Sequence, residues 1–212
     1  MIVNQAIAII IGYLVGSIPT AYLVTRLVKG KDIRQLGGGN VGGLNVFREV
    51  GRWPALAVGI VDVGKGVAAV AIAYWLLGVP QLFVFLAGLA AVIGHNWMVW
   101  LKFSGGKGMG ATMGALAVIL PVYGYWQGMV IFLGVILMPF IITRNVSLSM
   151  GTGLLFLPLI TWLGTKSGTA TIMSIILGLV IAIKFFPTAR AAWAKAEGKG
   201  DLIFDRGWRH KT

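Results

Sequence analysis

Four long stretches of the chain carry no ionisable acid or base: residues 1–25, 66–101, 108–143 and 145–165 contain no Asp, Glu, Lys or Arg. A helix needs about 20 consecutive apolar residues to cross a hydrocarbon core of roughly 30 Å. Inside lipid, only helices and closed barrels satisfy every backbone N–H and C=O. The uncharged stretches therefore predict an all-α, polytopic membrane protein. Composition agrees: 58% of the residues are hydrophobic and 11% are charged, less than half of the roughly 25% charged residues of a soluble domain.

Seven transmembrane helices are expected, at 4–24, 54–77, 82–101, 110–121, 126–143, 149–164 and 170–187, the fourth being short for a full crossing. Breaks containing Gly or Pro separate pairs of them, at Gly78-Val79-Pro80, at Pro121–Gly124 and at Gly164–Thr169. The first run lacks the basic start and the A-x-A pattern of a cleaved leader, so it is read as a retained span. An odd number of spans puts the termini on opposite sides. Sixteen of the 18 Lys and Arg then fall on one side and only Lys166 on the other, with Lys65 inside a span. Positive charge collects on the cytoplasmic side, so the N-terminus is expected outside and the C-terminus in the cytoplasm. Residues 1–190 are expected to form one seven-helix domain, with 191–212 as a basic tail.

The net charge of +12 would point to nucleic acid in a soluble protein. Here the cations sit in connections between apolar runs, so the expected partner is a bilayer with anionic lipids, and no nucleic acid. The absence of Cys excludes disulfides, thiolate zinc sites and a Cys acyl carrier. Two His and six scattered carboxylates form no ligand set, so neither a metal nor a cofactor is expected.

Glycine is abundant, at 31 residues. Many lie inside spans, where small residues let helices approach closely. Two clusters differ, because both fall in cytoplasmic connections. Gly105-Gly106-Lys107-Gly108 directly precedes the fourth span. Its backbone N–H groups, the lysine ammonium and the positive end of the following helix would converge on an anion such as phosphate. It is not a Walker loop, and a plain glycine-rich turn facing lipid headgroups reads the same way. The second cluster, GGGNVGGLNVFR over Gly37–Arg48, combines five Gly with Asn40, Asn45 and Arg48. Its amides can donate to a polar substrate and its guanidinium can clamp a phosphate or carboxylate. A flexible loop meeting anionic lipid is the alternative.

Asp62 and Lys65 lie three apart in the second span and share a face. A structural pair is the simpler reading, but Asp62 is only roughly 12 Å into the span, within reach of a polar site. His95, with Asn96, is either a general base or a histidine satisfied within the bundle. The H-x-x-x-x-D arrangement of soluble and single-span acyltransferases is missing there. His210 lies in the tail with no assignable partner. Ser147 and Ser149, after Arg144 in TRNVSLS, either bond a ligand or cap the sixth span.

Taken together, GSIPTAYLV, GGGNVGGLNVFREVGR, VDVGKG, GHNWMVWLKFSGGKGMGATMG and TRNVSLS resemble the bacterial acyl-phosphate:glycerol-3-phosphate acyltransferase family, in order and spacing from about Gly16 to Pro158. The resemblance implies a seven-span fold in the bacterial inner membrane with the active site facing the cytoplasm. It also implies transfer of a fatty acyl group from acyl-phosphate to the 1-hydroxyl of glycerol 3-phosphate, giving lysophosphatidate. A soluble acyl-phosphate-producing enzyme is the partner it suggests. Carried over, the loop of Gly105, Gly106, Lys107 and Gly108 would hold phosphate, with Lys107 its main charge. Asn40, Asn45 and Arg48, beside Gly39, would bind glycerol 3-phosphate or position the acyl-phosphate. Ser147 would contribute a hydroxyl and Arg144 a further phosphate contact. Acyl-phosphate is a mixed anhydride with a good leaving group, so positioning and charge stabilisation supply much of the catalysis. The substrate phosphate itself can then take the hydroxyl proton.

The chain departs from the family pattern at four places. Gly38 stands for Ser and Leu44 for Thr. Aligned on Glu197, Phe185 stands for His and Thr188 for Asn, leaving Arg190, Lys195 and Glu197 as nearby polar groups. A divergent paralogue with another acceptor, or one that only binds lipid, is the second reading, and a small transporter the third.

Overall fold

In the computed structural model, residues 2–195 and residue 203 are described. The tail residues Glu197, Lys199, Arg206, Arg209, His210 and Lys211, and the side chain of Lys195, lie outside the described residues. The described chain is helical, with no strand among its elements. Among the described residues, six helical segments are long and apolar enough to cross a membrane: Ile2–Lys29, Arg52–Leu76, Gln81–Leu101, Trp126–Thr143, Val146–Thr165 and Gly168–Ala194. A seventh apolar helix, Met109–Val122, is shorter, at the position where the sequence predicts a short span.

The chain divides into two compact units, residues 1–119 and 120–212. In the first, α1 (Ile2–Gly16) packs on α5 (Gln81–Asn96) and on α4 (Arg52–Ala71). Close approach is needed at Gly16, where an added Cβ would strike the carbonyl of Ala91. The same close approach occurs where α6 (Met109–Val122) meets α4, at Gly114 against the carbonyl of Val63. These small-residue contacts are what the in-span glycines predict.

The first span is not the single helix expected over 4–24. It breaks at Ser17-Ile18-Pro19, and α2 (Thr20–Lys29) resumes beyond the proline. Proline has no N–H for the helical ladder and its ring clashes with the preceding turn, so a Pro in mid-run ends α1 and starts α2. The Gly37–Arg48 stretch is likewise not all loop: its second half is α3 (Gly43–Glu49). Ala21, Ile33, Val41, Val46, Val58, Met98 and Leu101 form a small apolar core that gathers α2, the following connection, α3, the start of α4 and the segment after α5. Each large aliphatic buried there contributes about 1.5–3 kcal/mol, which anchors connections that are otherwise rich in glycine.

In the second unit α7 (Trp126–Thr143), α8 (Val146–Thr165) and α9 (Gly168–Lys195) pack in sequence order. The hydroxyls of Thr161 and Ser174 meet at 3.3 Å across the buried α8–α9 contact, an interhelical bond of the kind that ties apolar helices together. The last helix continues past Pro187 to Lys195, beyond the expected end at 187.

Candidate active site

The first glycine cluster is organised by an asparagine. Asn45, on α3, is buried, and its Nδ2 donates to the carbonyls of Leu36 at 3.0 Å, Asn40 at 3.1 Å and, more weakly, Ile33 at 3.4 Å. Its Oδ1 accepts from the N–H of Gly38 at 3.4 Å. These bonds turn a segment with little intrinsic order into a defined loop. Asn45 is thus bonded to its own loop, while Asn40 is half-buried and Arg48 exposed. Gly39 has φ +69°, a backbone conformation that glycine adopts without strain.

Upstream, Asp32 caps a short 3-10 turn (Ile33–Gln35) by accepting from the N–H of Arg34 at 2.9 Å. The Arg34 side chain bonds both carboxylate oxygens, with Nη2–Oδ2 at 2.6 Å. This guanidinium holds the Asp32 carboxyl below the usual carboxylate range, and the carboxylate in turn raises Arg34. Arg34 also stacks over Tyr22, 5.6 Å from the ring centroid, and its Nη1 lies 3.4 Å from the carbonyl of Leu101. Sequence reading missed this clamp, although the D-x-R spacing before a turn carries the signal.

The second cluster lies against the end of α5. The N–H of Gly106 donates to the carbonyl of His95 at 2.9 Å. Gly106 has no room for a side chain: a Cβ there would strike Nε2 of His95 and come within 2.8 Å of the Val41 carbonyl. The contact with Val41 brings the two glycine clusters together. Gly105 is pressed on the carbonyls of His95 and Asn96. Gly108, at φ +75°, leads into α6, where Thr112 donates back to its carbonyl at 2.9 Å. Asn96 is fully buried, with Oδ1 turned toward Gly108. Before the loop, Lys102 and Phe103 occupy successive left-handed conformations at φ 53° and 60°. Such backbone is costly for a bulky residue, and it directs the chain from the segment after α5 into the loop.

Lys107 is pushed down to about 8, first by burial and then by the positive charge of Arg48. The two cations predicted from separate clusters therefore act on one region. A bound anion would relieve both causes, replacing lost water and offsetting like-charge repulsion. Among the described residues no three His, Asp or Glu side chains group to hold a metal ion.

Behind the loop, Asp62 and Lys65 form the predicted pair at 2.6 Å, both buried. His95 is buried as well, with Nδ1 3.7 Å from the same carboxylate oxygen. Arg144 and Ser147 belong to the second unit. Arg144 is exposed and left-handed at the end of α7, and Ser147 is half-buried in the first turn of α8. The cap of α8 is Asn145, whose side chain accepts from the N–H groups of Ser147 and Leu148 at 3.0 and 3.1 Å. The expectation of a serine cap is corrected: Asn is at least as good a cap, and it stands one residue before the helix. Phe185 and Thr188 lie within α9.

Residues 6–194 match the family model described as glycerol-3-phosphate acyltransferase. The chain is 48% identical over 202 residues to glycerol-3-phosphate acyltransferase 1 of Dehalococcoides mccartyi, covering 95% of this chain and 97% of that protein. It is 46% identical over 142 residues to glycerol-3-phosphate acyltransferase 2 of Moorella thermoacetica, covering 67% of this chain and 70% of that one. In three dimensions it is similar to the crystal structure of PlsY (YgiH), an integral membrane glycerol 3-phosphate acyltransferase, in its glycerol 3-phosphate form. The TM-score is 0.80 at 27% identity, covering 95% of this chain and 99% of that chain. With the glycine clusters and their cations arranged as described, and with nearly the whole chain matched, this protein belongs to the glycerol-3-phosphate acyltransferase family.

Proposed function

We propose that this protein transfers a fatty acyl group from acyl-phosphate to the 1-hydroxyl of glycerol 3-phosphate, giving lysophosphatidate and inorganic phosphate. The observation that carries the proposal is that two glycine clusters touch at Gly106 and Val41, with Lys107 of one within the electrostatic reach of Arg48 of the other. Two cations beside clustered backbone N–H groups suit the phosphates of both substrates. In the step itself, the hydroxyl oxygen attacks the acyl carbon, the bond from that carbon to the phosphate oxygen breaks, and phosphate leaves. The attack is direct, so no side-chain nucleophile takes part, and the hydroxyl proton passes to a substrate phosphate, so no side-chain base is required. Lys107, the main charge of its loop, holds the phosphate of glycerol 3-phosphate, Arg48 and Asn40 position the acyl-phosphate, and Asn45 positions their loop.

Residues 1–190 carry this activity as a seven-span domain, with the N-terminus outside and the basic side, including Lys107 and Arg48, facing the cytoplasm of a bacterial inner membrane. The lopsided distribution of Lys and Arg supports that orientation. The same cations draw anionic lipid, and a soluble enzyme supplies the acyl-phosphate. The test is product formation by purified, folded protein given acyl-phosphate and glycerol 3-phosphate. Absence of lysophosphatidate would sink the proposal. A second acceptor is the competing reading, favoured by Gly38 and Leu44 in the first cluster, and a panel of polyol phosphates with the same donor separates the two.

A further inference from the structure

Three buried ionisable side chains meet at one point behind the glycine loop. Asp62 is 5% exposed, Lys65 2% and His95 3%. The Lys65 ammonium donates to Asp62 Oδ1 at 2.6 Å and to the carbonyl of Ile18 at 2.6 Å. Ile18 lies in the break between α1 and α2, so Lys65 fastens that break to α4. The same Asp62 oxygen also faces His95 Nδ1 at 3.7 Å, an electrostatic contact rather than a hydrogen bond, while the Asp62 Cβ lies against Gly110 in the first turn of α6. The opposite edge of the His95 ring is where a Gly106 side chain would stand, and the His95 carbonyl accepts from the Gly106 N–H. A continuous path therefore runs from the helix break through Lys65, Asp62 and His95 to the residue beside Lys107.

Stability alone does not account for this arrangement. A buried ion pair loses most of its Coulomb gain to desolvation, and well-packed apolar replacements are often as stable or more so. What charged and hydrogen-bonding groups supply instead is one fixed geometry. Lys65 has two short acceptors and Asp62 faces a ring in contact with the loop, so each constrains the next. Gly106 lies between the His95 ring and the Val41 carbonyl, with no room for a Cβ toward either.

We infer that Asp62 and Lys65 are positioning residues for the phosphate loop, acting through His95 to set the place of Gly106 and hence of the N–H groups and ammonium beside it. The inference rests on the reading that Gly105–Gly108 binds the substrate phosphate. None of the three residues touches substrate; their effect is on how well the loop is aimed. Loosening the path therefore weakens capture of glycerol 3-phosphate more than it slows turnover of substrate that is already bound.

The test uses the full-length protein purified in lipid nanodiscs, with thermal unfolding followed in parallel. Two variants are compared with the parent: Asp62→Leu combined with Lys65→Met, which removes both charges, and His95→Gln, which leaves the pair intact. Each is expected to unfold within a few degrees of the parent. Each should raise KM for glycerol 3-phosphate by about tenfold while kcat stays within about threefold, since small misplacements of binding groups cost up to about a hundredfold. Combining all three substitutions should raise KM no further than either variant does, because residues acting through one path are not additive. A folded variant of either kind with parental KM, or effects that multiply in the combination, would overturn the inference. If the charge-removing variant fails to fold, His95→Gln decides alone. Lys107→Ala in the same assay guards the premise: parental KM and kcat there would mean that the loop does not hold phosphate at all, a failure separate from that of the positioning path.

Discussion

Lys107 titrates in the field of Arg48: the two like charges, added to the burial of the ammonium, push Lys107 down to about 8. The free protein thus holds Lys107 charged at neutral pH and largely neutral at pH 9. Profiles of kcat/KM report groups in the free enzyme, whereas kcat reports the bound complex. For glycerol 3-phosphate, kcat/KM should stay level from pH 7 to about 8 and then fall by about tenfold per pH unit. In the complex, the substrate phosphate raises the lysine again, so the fall in kcat should begin at higher pH. A kcat/KM profile that is flat from pH 7 to 9.5 would show that the charge of Lys107 does not matter.

The same shift has a consequence for stability with the opposite sign from the usual ion pair. Lys107 binds its proton less tightly in the fold than in the unfolded chain, whose value is the ordinary 10.5. Between about 8 and 10.5 the unfolded state holds more protons, so stability rises with pH across that window, and the penalty is fully present below it. Replacing the ammonium with an apolar chain of similar length removes the penalty. Lys107→Met should therefore unfold at or above the parental temperature at pH 7, while losing about 10²–10³-fold in kcat/KM. Thermal unfolding and turnover on one preparation check both halves. An unfolding temperature well below the parent's would assign Lys107 a structural role.

The two asparagines of the first cluster should separate cleanly. Asn45→Asp puts an acceptor opposite the carbonyls of Leu36 and Asn40, which now receive its donated bonds. The cost of leaving such buried groups unpaired is about 1–3 kcal/mol, and the loop should lose its shape as well. Asn40 is half-buried and does not knit the loop from its side chain in this way. Asn40→Ala should leave the unfolding temperature within a degree or two and lower kcat/KM. Equal destabilisation by the two substitutions would refute this division of labour.

How much of this was readable from the chain alone differs from element to element, for physical reasons. Spans announce themselves because lipid admits no unpaired charge, so the end of α7 and both limits of α8 lie close to the edges of uncharged runs. Pro19 carries the signal of a helix breaker, but hydropathy runs straight through it, and the expected span of 4–24 misses the break. The helix α3 was hidden because its residues read as glycine-rich loop, and it is held by Asn45 and by Val46 in the small core. That core joins residues far apart in sequence, which no local pattern reveals. The Gly105–Gly108 motif showed that backbone and lysine share a place. It could not show that Arg48 acts on the same lysine, or that His95 is the surface on which Gly106 rests, since both depend on how α3 and α5 are packed.

Gly38 offers a test of acceptor choice, because the family pattern resembled by this cluster has serine there. The residue is exposed, and a Cβ built on it meets nothing within 4 Å. Its N–H lies 3.4 Å from Asn45 Oδ1, so the backbone is already held in a shape that a side chain need not disturb. Gly38→Ser should change stability by no more than about 0.5 kcal/mol, as surface substitutions usually do. A hydroxyl added beside the phosphate-binding region supplies one further hydrogen bond, worth about 1 kcal/mol. The expected outcome is a severalfold rise in kcat/KM for glycerol 3-phosphate with little change for other polyol phosphates. A rise for a different acceptor, with none for glycerol 3-phosphate, would instead mean that this cluster is shaped for another polyol phosphate.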